Sequence, residues 1–208
     1  MNKKIVLIGG GGHCKSVLDT LLQSNDYDDV VITDNNIPEG TKIFGCNVVG
    51  NDDILSELLK NGYEYAFVTI GSIKSTALRR MLFAKACELG FNIPNIIDKS
   101  AVVSEYAELG GGVFIGKNAV INAEAVIENC AIINTGAIVE HECRVGEFTH
   151  ISVGAKLCGN VIIDSDCFVG AGSTVIQGIK MGSKAVIGAG STVIRNIESN
   201  TVNVGLIK

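Results

Sequence analysis

The sequence lacks several features that mark whole classes of protein. Its 17 Lys and Arg residues form no cluster and the formal net charge is −5, whereas nucleic-acid-binding proteins usually carry a basic patch. No apolar run approaches the roughly 18 residues that span a bilayer, and the apolar start at residues 5–8 is too short for a secretory signal. We therefore expect a cytoplasmic protein with neither nucleic acid nor a membrane as its partner.

Cysteine is present, but never in a metal-binding arrangement. The seven cysteines include no C-x-x-C pair, and their number is odd. The spacings typical of zinc sites are missing. Cys143 and Cys167 fall on small inward positions of the repeat described below, where a thiol packs like a small hydrophobic group. The sequence therefore predicts buried, reduced thiols and no metal. Tryptophan is absent and proline occurs twice, but neither fact decides the fold.

The dominant pattern is a six-residue repeat over residues 100–195. In sixteen consecutive hexads the fourth position is Val, Leu, Ile or Met, from Val103 to Val193. Two positions earlier the residue is mostly small or β-branched, and one position later Gly, Asn, Asp or Ser predominates. With 208 residues and 47 % hydrophobic content, the chain is long enough for one large domain or two modest ones.

This repeat predicts a parallel β-helix. Residues two apart in a strand share a face, so the aliphatic residue and the small residue before it both point inward. A residue that tolerates positive φ directly after each strand would let the chain turn. Stacked coils then form a continuous aliphatic ladder. A chance alternation in a β-sandwich is the alternative, and sixteen consecutive matches argue against it.

The preceding residues follow an α/β pattern. Apolar runs that read as strands alternate with helical stretches, one of which we expect Asp52 or Asp53 to cap. This order predicts an α/β N-terminal Rossmann-like domain over 1–97. The period changes to six near Asp98, so we assign the β-helix to 98–196 and a C-terminal tail to 197–208.

A glycine run lies directly after the first predicted strand. Such a turn points backbone N–H groups and a helix N-terminus at an anion, so residues 9–13 are a candidate phosphate site. Asp34 ends the second strand, where a ribose contact is expected. The motif is imperfect because Cys14 occupies the third glycine position, and a turn without a ligand remains the alternative. Fewer than 100 residues favour a mononucleotide over a dinucleotide.

Two of the three histidines lie within the repeat. His141 closes a hexad between Glu140 and Glu142, and a carboxylate on one imidazole nitrogen leaves the other nitrogen able to accept a proton. His150 precedes the inward Ile151, so we expect it to point outward. Nine residues are half of an 18-residue coil, so the two histidines need not converge in one chain. They could meet across an interface between two copies, or both could be solvated surface residues.

Two segments resemble a known family: GGGGHCKSVLD and INTGAIVEHECRVGEFTHISVGAKLCGNV. They are similar to the bacterial sugar O-/N-acyltransferases of the hexapeptide-repeat superfamily. These include nucleotide-amino-sugar N-acetyltransferases and sialic acid O-acetyltransferases. The resemblance covers residues 3–203. It implies a left-handed β-helix, acetyl-CoA as co-substrate, no metal requirement, and a homotrimer with active sites between subunits.

The resemblance also implies roles for individual residues. It makes His141 the general base and Glu142 its support. It assigns the co-substrate acetyl-CoA to His150, Gly159, Ala171 and Ala189. It assigns the sugar substrate to Gly10, Gly11, Gly12, His13, Asp34, Gly71, Ser72 and Asn134.

The function implied is acetylation of the amine of a nucleotide-linked, UDP-type 4-amino-6-deoxy sugar in bacterial glycan biosynthesis. O-acetylation of a sialic-type acid is the alternative, and a non-catalytic β-helix that senses nucleotide sugars is a third. Family members often carry a G-x-P-A-K/R stretch near the far end of CoA. Here residues 204–208 read VGLIK, which leaves the contacts to the adenosine end open.

Overall fold

The computed structural model describes residues 3–71, 73 and 75–208. Contacts divide the chain into two compact units, the first built from 3–71 with 77–96 and the second containing 97–208. Among the described residues, no helix is both long and apolar enough to span a bilayer.

The first unit is a five-stranded sheet in the order β3-β4-β2-β1-β5. Its strands are β1 (Lys4–Ile8), β2 (Asp29–Thr33), β3 (Lys42–Ile43), β4 (Cys46–Gly50) and β5 (Tyr65–Val68). Its helices are α1 (Gly12–Ser24), a 3₁₀ helix (Asp52–Ile54), α2 (Leu55–Lys60) and α3 (Ala77–Leu89). All neighbouring strands are parallel except β3 and β4, which form a hairpin.

The central strand explains this layering. Residues 5–8 of β1 are fully buried, as expected for a parallel strand covered on both faces. The apolar spacing of Val17, Leu18, Leu21 and Leu22 predicts one buried face of helix α1, and the helix buries the first three of them, while Leu22 is exposed. The alternation of strands and helices confirms the predicted α/β class.

One helix cap differs from the prediction. Asn51, rather than Asp52 or Asp53, caps the 3₁₀ helix, and its side-chain oxygen accepts the Asp53 N–H at 3.0 Å. Asp52 is instead buried and accepts a hydrogen bond from Thr33. Sequence alone did not distinguish these three adjacent polar residues because all of them are good capping residues.

Residues 96–208, all of them described, form three parallel sheets that we call faces 1, 2 and 3. Face 1 contains β7 (Val102–Val103), β10 (Val120–Ile121), β13 (Ile138–Val139), β16 (Lys156–Leu157), β19 (Thr174–Val175), β22 (Thr192–Val193) and β24 (Leu206–Ile207). Face 2 contains β8 (Glu108–Leu109), β11 (Val126–Ile127), β14 (Arg144–Val145), β17 (Ile162–Ile163) and β20 (Lys180–Met181). Face 3 contains β6 (Ile96–Ile97), β9 (Phe114–Ile115), β12 (Ile132–Ile133), β15 (His150–Ile151), β18 (Phe168–Val169), β21 (Val186–Ile187) and β23 (Val202–Asn203).

Each strand pairs with the strand one coil away, 18 residues along the chain. Val120, for example, lies beside Val102 on one side and Ile138 on the other. The fourth residue of each hexad points into the core, and Ile115, Ile133 and Val139 are fully buried. The predicted aliphatic ladder is therefore confirmed.

The turns work differently from the prediction. Positive φ falls on the first residue of a hexad, for example 54° at Asn118 and 58° at Glu142. Where the residue directly after the aliphatic one is glycine, the reason is a different one. A Cβ on Gly146 would lie 2.5 Å from the carbonyl carbon of Asp164 in the next coil, so the close approach of stacked backbones requires glycine there.

The cysteines are all free thiols. Cys143 and Cys167 are buried at their inward positions, and burial raises the pKa of each thiol to about 11. In the described part of the chain, no group of three or more His, Cys, Asp or Glu residues could hold a metal ion.

Candidate active site

His141 lies at the corner between faces 1 and 2, beside a carboxylate. Its Nδ1 is 3.0 Å from Oε2 of Glu142, and the two side chains are 59 % and 58 % exposed. When Nδ1 carries the proton and donates it to the carboxylate, Nε2 holds the lone pair. The pair therefore presents a proton-accepting nitrogen on an accessible surface.

Backbone bonds to both neighbouring coils hold this corner. Glu142 opens a hexad at φ 58°, and its N–H donates to the carbonyl of Ala123 in the preceding coil at 3.1 Å. The carbonyl of His141 accepts the N–H of Asn160 from the following coil at 2.9 Å. The imidazole is thus mounted on a regular part of the helix, where its backbone has little freedom.

Gly159 lies one coil above His141 at the same corner. A Cβ at this glycine would be 2.6 Å from Cε1 and 2.7 Å from Nε2 of His141. The missing side chain leaves room for the imidazole ring. The resemblance assigned Gly159 to acetyl-CoA and did not reveal this contact, although the 18-residue spacing between the two positions could have done so.

His150 and Asn134 form a second cluster, on face 3. Asn134 Nδ2 is 3.1 Å from His150 Nε2, and Asn134 Oδ1 accepts the N–H of Thr135 at 2.8 Å. The His150 ring packs edge-on against Phe168, with 5.2 Å between ring centroids. His150 lies on the outer surface of its face, as predicted, yet it is only 8 % exposed. The alternative of a solvated surface histidine is therefore wrong for His150.

The predicted acetyl-transfer residues divide between two parts of one coil stack. Ala171 and Ala189 lie one coil apart at the corner between faces 3 and 1, where the carbonyl of Ala171 accepts the Gly190 N–H at 2.8 Å. That places one group at the corner of faces 1 and 2, namely His141, Glu142 and Gly159. The other group lies on face 3 and its corner with face 1, namely Asn134, His150, Ala171 and Ala189.

The glycine run connects β1 to α1 in the first unit. Gly11 is the N-cap of α1 and makes no side-chain capping bond. A Cβ on Gly11 or Gly12 would meet nothing within 4 Å, so the start of the helix faces open space. The first N–H groups of a helix lack partners within the helix and attract anions. The arrangement is suited to a phosphate.

Asp34 anchors this loop. Its Oδ2 accepts the N–H of Gly10 at 2.7 Å, while its Oδ1 accepts those of Asn36 and Ile37 at 2.7 and 3.1 Å. Both oxygens therefore have bonds inside the protein, and the expected ribose contact remains a prediction.

The other residues assigned to the nucleotide lie near this loop or outside the described structure. A Cβ on Gly71 would be 3.5 Å from Cβ of His13, so these two predicted residues are neighbours. Ser72 was also assigned to this pocket, and it lies outside the described residues.

Comparisons with known proteins agree with this architecture. Residues 4–86 match the family described as the PglD N-terminal domain, and residues 151–195 match the hexapeptide repeat of succinyl-transferase. The GDP-perosamine N-acetyltransferase of Caulobacter crescentus is 36 % identical over 99 % of this chain and 95 % of its own, with a TM-score of 0.91. Its structure is that of a mutant in complex with CoA and GDP-perosamine. This chain belongs to the hexapeptide-repeat sugar N-acetyltransferases.

Two further structures are similar to this chain, one in sequence and fold and the other in fold alone. The acetyltransferase domain of PglB from Neisseria gonorrhoeae, in complex with acetyl coenzyme A, is 31 % identical over 99 % of this chain and 97 % of its own, with a TM-score of 0.92. WeeI from Acinetobacter baumannii shares the fold at 19 % identity over 98 % and 97 %, with a TM-score of 0.79. No curated protein sequence matches this chain significantly. The predictions of an acetyltransferase and of a left-handed β-helix are confirmed.

Proposed function

We propose that this enzyme transfers the acetyl group of acetyl-CoA to the C4 amine of a nucleotide-linked 4-amino-6-deoxy sugar, in bacterial glycan biosynthesis. The observation that carries the proposal is the 3.0 Å pair of His141 Nδ1 and Glu142 Oε2 at an exposed corner. It is supported by the similarity to a GDP-perosamine N-acetyltransferase along nearly the whole chain.

His141 acts as general base in this proposal. The neutral amine attacks the thioester carbonyl, and Nε2 takes the amine proton as the N–C bond forms. Glu142 stabilises the resulting imidazolium through its bond to Nδ1. The C–S bond then breaks, and the CoA thiolate takes up a proton. General acid–base help of this kind typically contributes about 10²–10⁴-fold.

The second cluster is suited to the thioester. With Asn134 Nδ2 donating to His150 Nε2, the His150 ring carries its proton on Nδ1 and is a donor there. A fixed donor of this kind can stabilise the oxyanion of a tetrahedral intermediate. Ala171 and Ala189 have small side chains and would let the pantetheine arm approach the coil backbone, whereas Gly159 would meet acetyl-CoA beside the His141 ring.

The division of the two clusters supports a homotrimer with its active sites between subunits. His141 lies at the corner of faces 1 and 2, whereas His150 is on face 3, across the triangular cross-section. One chain therefore does not bring the base and the thioester-binding residues together. If one chain contacts its neighbour so that the His141 corner of the first lies against the His150 side of the second, the base and the thioester-binding residues come together. A cyclic trimer repeats this contact three times.

The nucleotide binds at the start of α1 in this proposal, with its phosphates at Gly10, Gly11 and Gly12. We propose a UDP-linked sugar, and a GDP-linked sugar is the competing outcome. Both the sugar nucleotide and acetyl-CoA are cytoplasmic metabolites, so the proposal includes a cytoplasmic location.

Incubation of the protein with acetyl-CoA and separate acceptors tests the proposal, with release of free CoA as the readout. The acceptors are UDP- and GDP-linked 4-amino-6-deoxy sugars and a sialic acid. Release with an amino sugar supports the proposal. Whether the UDP-linked or the GDP-linked acceptor gives release then identifies the nucleobase that the enzyme accepts. Release with sialic acid alone would establish the O-acetyltransferase alternative. Release with none of them would overturn the assigned substrate class.

Two matched variants test the assigned chemistry. Glu142→Gln removes the carboxylate on Nδ1, whereas Glu140→Gln changes the other glutamate that flanks His141. The Glu140 carboxylate accepts the backbone N–H of His141, with 3.4 Å between Oε2 and the nitrogen, and does not bond to the imidazole there. We expect kcat to fall about tenfold in the first variant and to change less than twofold in the second. Equal effects of the two substitutions would contradict the role of Glu142.

A further inference from the structure

Asp52 is a buried carboxylate that the proposed chemistry does not use. It opens the 3₁₀ helix after β4 and is 7 % exposed. Aspartate is rarely buried unless its charge is compensated by partners. Its hydrogen bonds therefore indicate what it stabilises.

The bonds of Asp52 go to the two residues on either side of Asp34. Its Oδ1 accepts the hydroxyl proton of Thr33 at 2.8 Å, and its Oδ2 accepts an Nδ2 proton of Asn35 at 3.0 Å. The backbone N–H of Asp52 also donates to Asn35 Oδ1 at 3.2 Å. Asn35 and Asp52 thus bond reciprocally, and the chain is held immediately before and after Asp34.

The sheet brings these residues together. In the β2–β4 pair, Thr33 lies beside Gly50 at the ends of the two strands. Asn35 and Asp52 each follow two residues later, so they are close enough to bond. Lys85 of α3 donates from Nζ to the carbonyl of Asp52 at 2.7 Å. Asp52 is therefore held from the helix side as well as from the sheet side.

The segment held by Asp52 in turn holds the glycine run. The carbonyl of Thr33 accepts the Gly9 N–H at 2.8 Å, and the carboxylate of Asp34 accepts the Gly10 N–H at 2.7 Å. Gly10 is directly followed by the N-cap of α1. A continuous path of hydrogen bonds runs from Asp52 to the proposed phosphate site.

We infer that Asp52 is a positioning residue for the nucleotide sugar: it fixes Asp34 and the glycine run in the arrangement that binds the substrate. The inference rests on the proposed function, because it takes the start of α1 as the nucleotide site. It separates substrate binding from acetyl transfer, since none of its contacts involves His141 or His150.

The substitution Asp52→Asn tests the inference by kinetics. An amide at this position has one acceptor oxygen in place of two and no charge, so it cannot accept from both Thr33 and Asn35 as the carboxylate does. We expect KM for the nucleotide sugar to rise about tenfold, with kcat and KM for acetyl-CoA changed less than twofold. Asp53→Asn is the matched control, because it makes the same charge change on the adjacent residue, whose side chain is 85 % exposed and pairs with Lys85 only at 3.7 Å, an exposed ion pair of small energy. The control should leave all three constants within about twofold.

A second variant keeps the test valid if Asp52→Asn does not fold. Asn35→Ala removes the reciprocal Asn35–Asp52 pair from its exposed side, and we expect the same selective rise in KM. The double variant should show no further rise, because both changes break one interaction. A lower unfolding temperature with an unchanged KM, or equal constants for Asp52→Asn and Asp53→Asn, would overturn the inference.

Calorimetric binding of UDP and of GDP to the same variants separates this inference from the proposed function. If the wild type acetylates no nucleotide sugar but the nucleotide Kd rises about tenfold only in Asp52→Asn and Asn35→Ala, the proposed function fails and the positioning role stands. If the wild type acetylates the sugar and neither Kd nor KM changes in these variants, the positioning role fails. If neither nucleotide binds the wild type, both are overturned.

Discussion

The β-helix and the α/β unit position their candidate residues by different physical means. In the β-helix, His141 and Gly159 touch because they occupy the same place in successive coils, 18 residues apart. In the α/β unit, Asp34 and Gly10 touch because β1 and β2 are neighbours and a carboxylate happens to follow one of them. The coils of the β-helix have the same backbone geometry, and only a few side chains depart from the repeat pattern. The α/β unit depends on individual hydrogen bonds, each of which one substitution can remove.

The largest effect, on kcat, is expected at His141, the proposed base in the β-helix. His141→Ala removes the proton acceptor but leaves the backbone bonds of the corner in place. We expect kcat to fall about 10²–10⁴-fold while acetyl-CoA still binds. Steady-state kinetics and calorimetric titration with acetyl-CoA measure the two quantities. Unchanged turnover would show that the histidine is not the base.

The β-helix itself should be sensitive to one extra carbon where coils stack. Gly146→Ala would place Cβ 2.5 Å from the carbonyl carbon of Asp164, and two stacked backbones cannot separate locally. We expect the free energy of unfolding to fall by about 1–3 kcal/mol in urea titrations. Gly12→Ala is the counterpart in the α/β unit, because a Cβ there meets nothing within 4 Å. It should leave the free energy of unfolding within about 0.5 kcal/mol of the wild type. Equal destabilisation by both changes would contradict this difference between the units.

Unlike Gly146→Ala, the substitution Gly159→Ala should lower activity more than stability. The added Cβ would lie 2.6 Å from Cε1 of His141, and a half-exposed imidazole can rotate away where a backbone cannot. We expect kcat to fall about tenfold with little loss of stability. Kinetics and urea unfolding on the same sample measure both. A large loss of stability with normal kcat would mean that Gly159 serves only the fold.

The smallest effect is expected from the buried thiols, which occur in both units. They leave stability unchanged at neutral pH and lower it only at alkaline pH. Burial raises the pKa of Cys14, Cys143 and Cys167 to about 11, from an ordinary value of 9.0. The folded state then keeps protons that the unfolded state releases, so stability is constant below about pH 9 and falls as pH rises towards 11. Urea unfolding at pH 7 and 9.5 should show this loss.

The cysteine variants apportion that loss between the units. Cys14→Ala should reduce it in the α/β unit, and Cys143→Ala with Cys167→Ala should reduce it in the β-helix. Tyr27 and Tyr63, whose pKa burial raises from an ordinary value of 10.0 to about 12, add a loss that begins about one pH unit higher, so at pH 9.5 the thiols account for most of it. An undiminished loss in all the cysteine variants would contradict the assignment to thiols.

The β-helix could be predicted in detail because its signal repeats. Sixteen aliphatic residues at a spacing of six leave few other ways to bury them, and the ladder from Ile115 to Val193 is buried as expected. The turn geometry was predicted wrongly at glycines such as Gly146. The sequence shows that glycine recurs at this position of the hexad. It does not show whether glycine is needed there for a positive φ or because a neighbouring backbone lies too close for a Cβ. The contact of Gly159 with the imidazole depends on the same spatial closeness.

The proposed nucleotide-binding end of the α/β unit was only partly predictable. The glycine run and Asp34 could be recognised because a strand, a turn and a helix follow one another locally. Asp52 was interpreted as a helix cap, since its neighbours in sequence suggest nothing else. Its bonds to Thr33 and Asn35 follow from the parallel register of β2 and β4, which no local pattern encodes.

The periodic placement of apolar and small residues is enough to specify a stack of coils with His141 and Glu142 side by side at a corner. Adjacent residues and a constant repeat need no further information, because each coil copies the geometry of the one before. The same repeat puts Gly159 one coil from His141, and it separates His141 from His150 because nine residues are half of an 18-residue coil. The tertiary structure alone decided that Asn134 lies beside a buried His150 and that Asp52 bonds to the residues on both sides of Asp34, because these contacts depend on side-chain packing and on the register of β2 and β4.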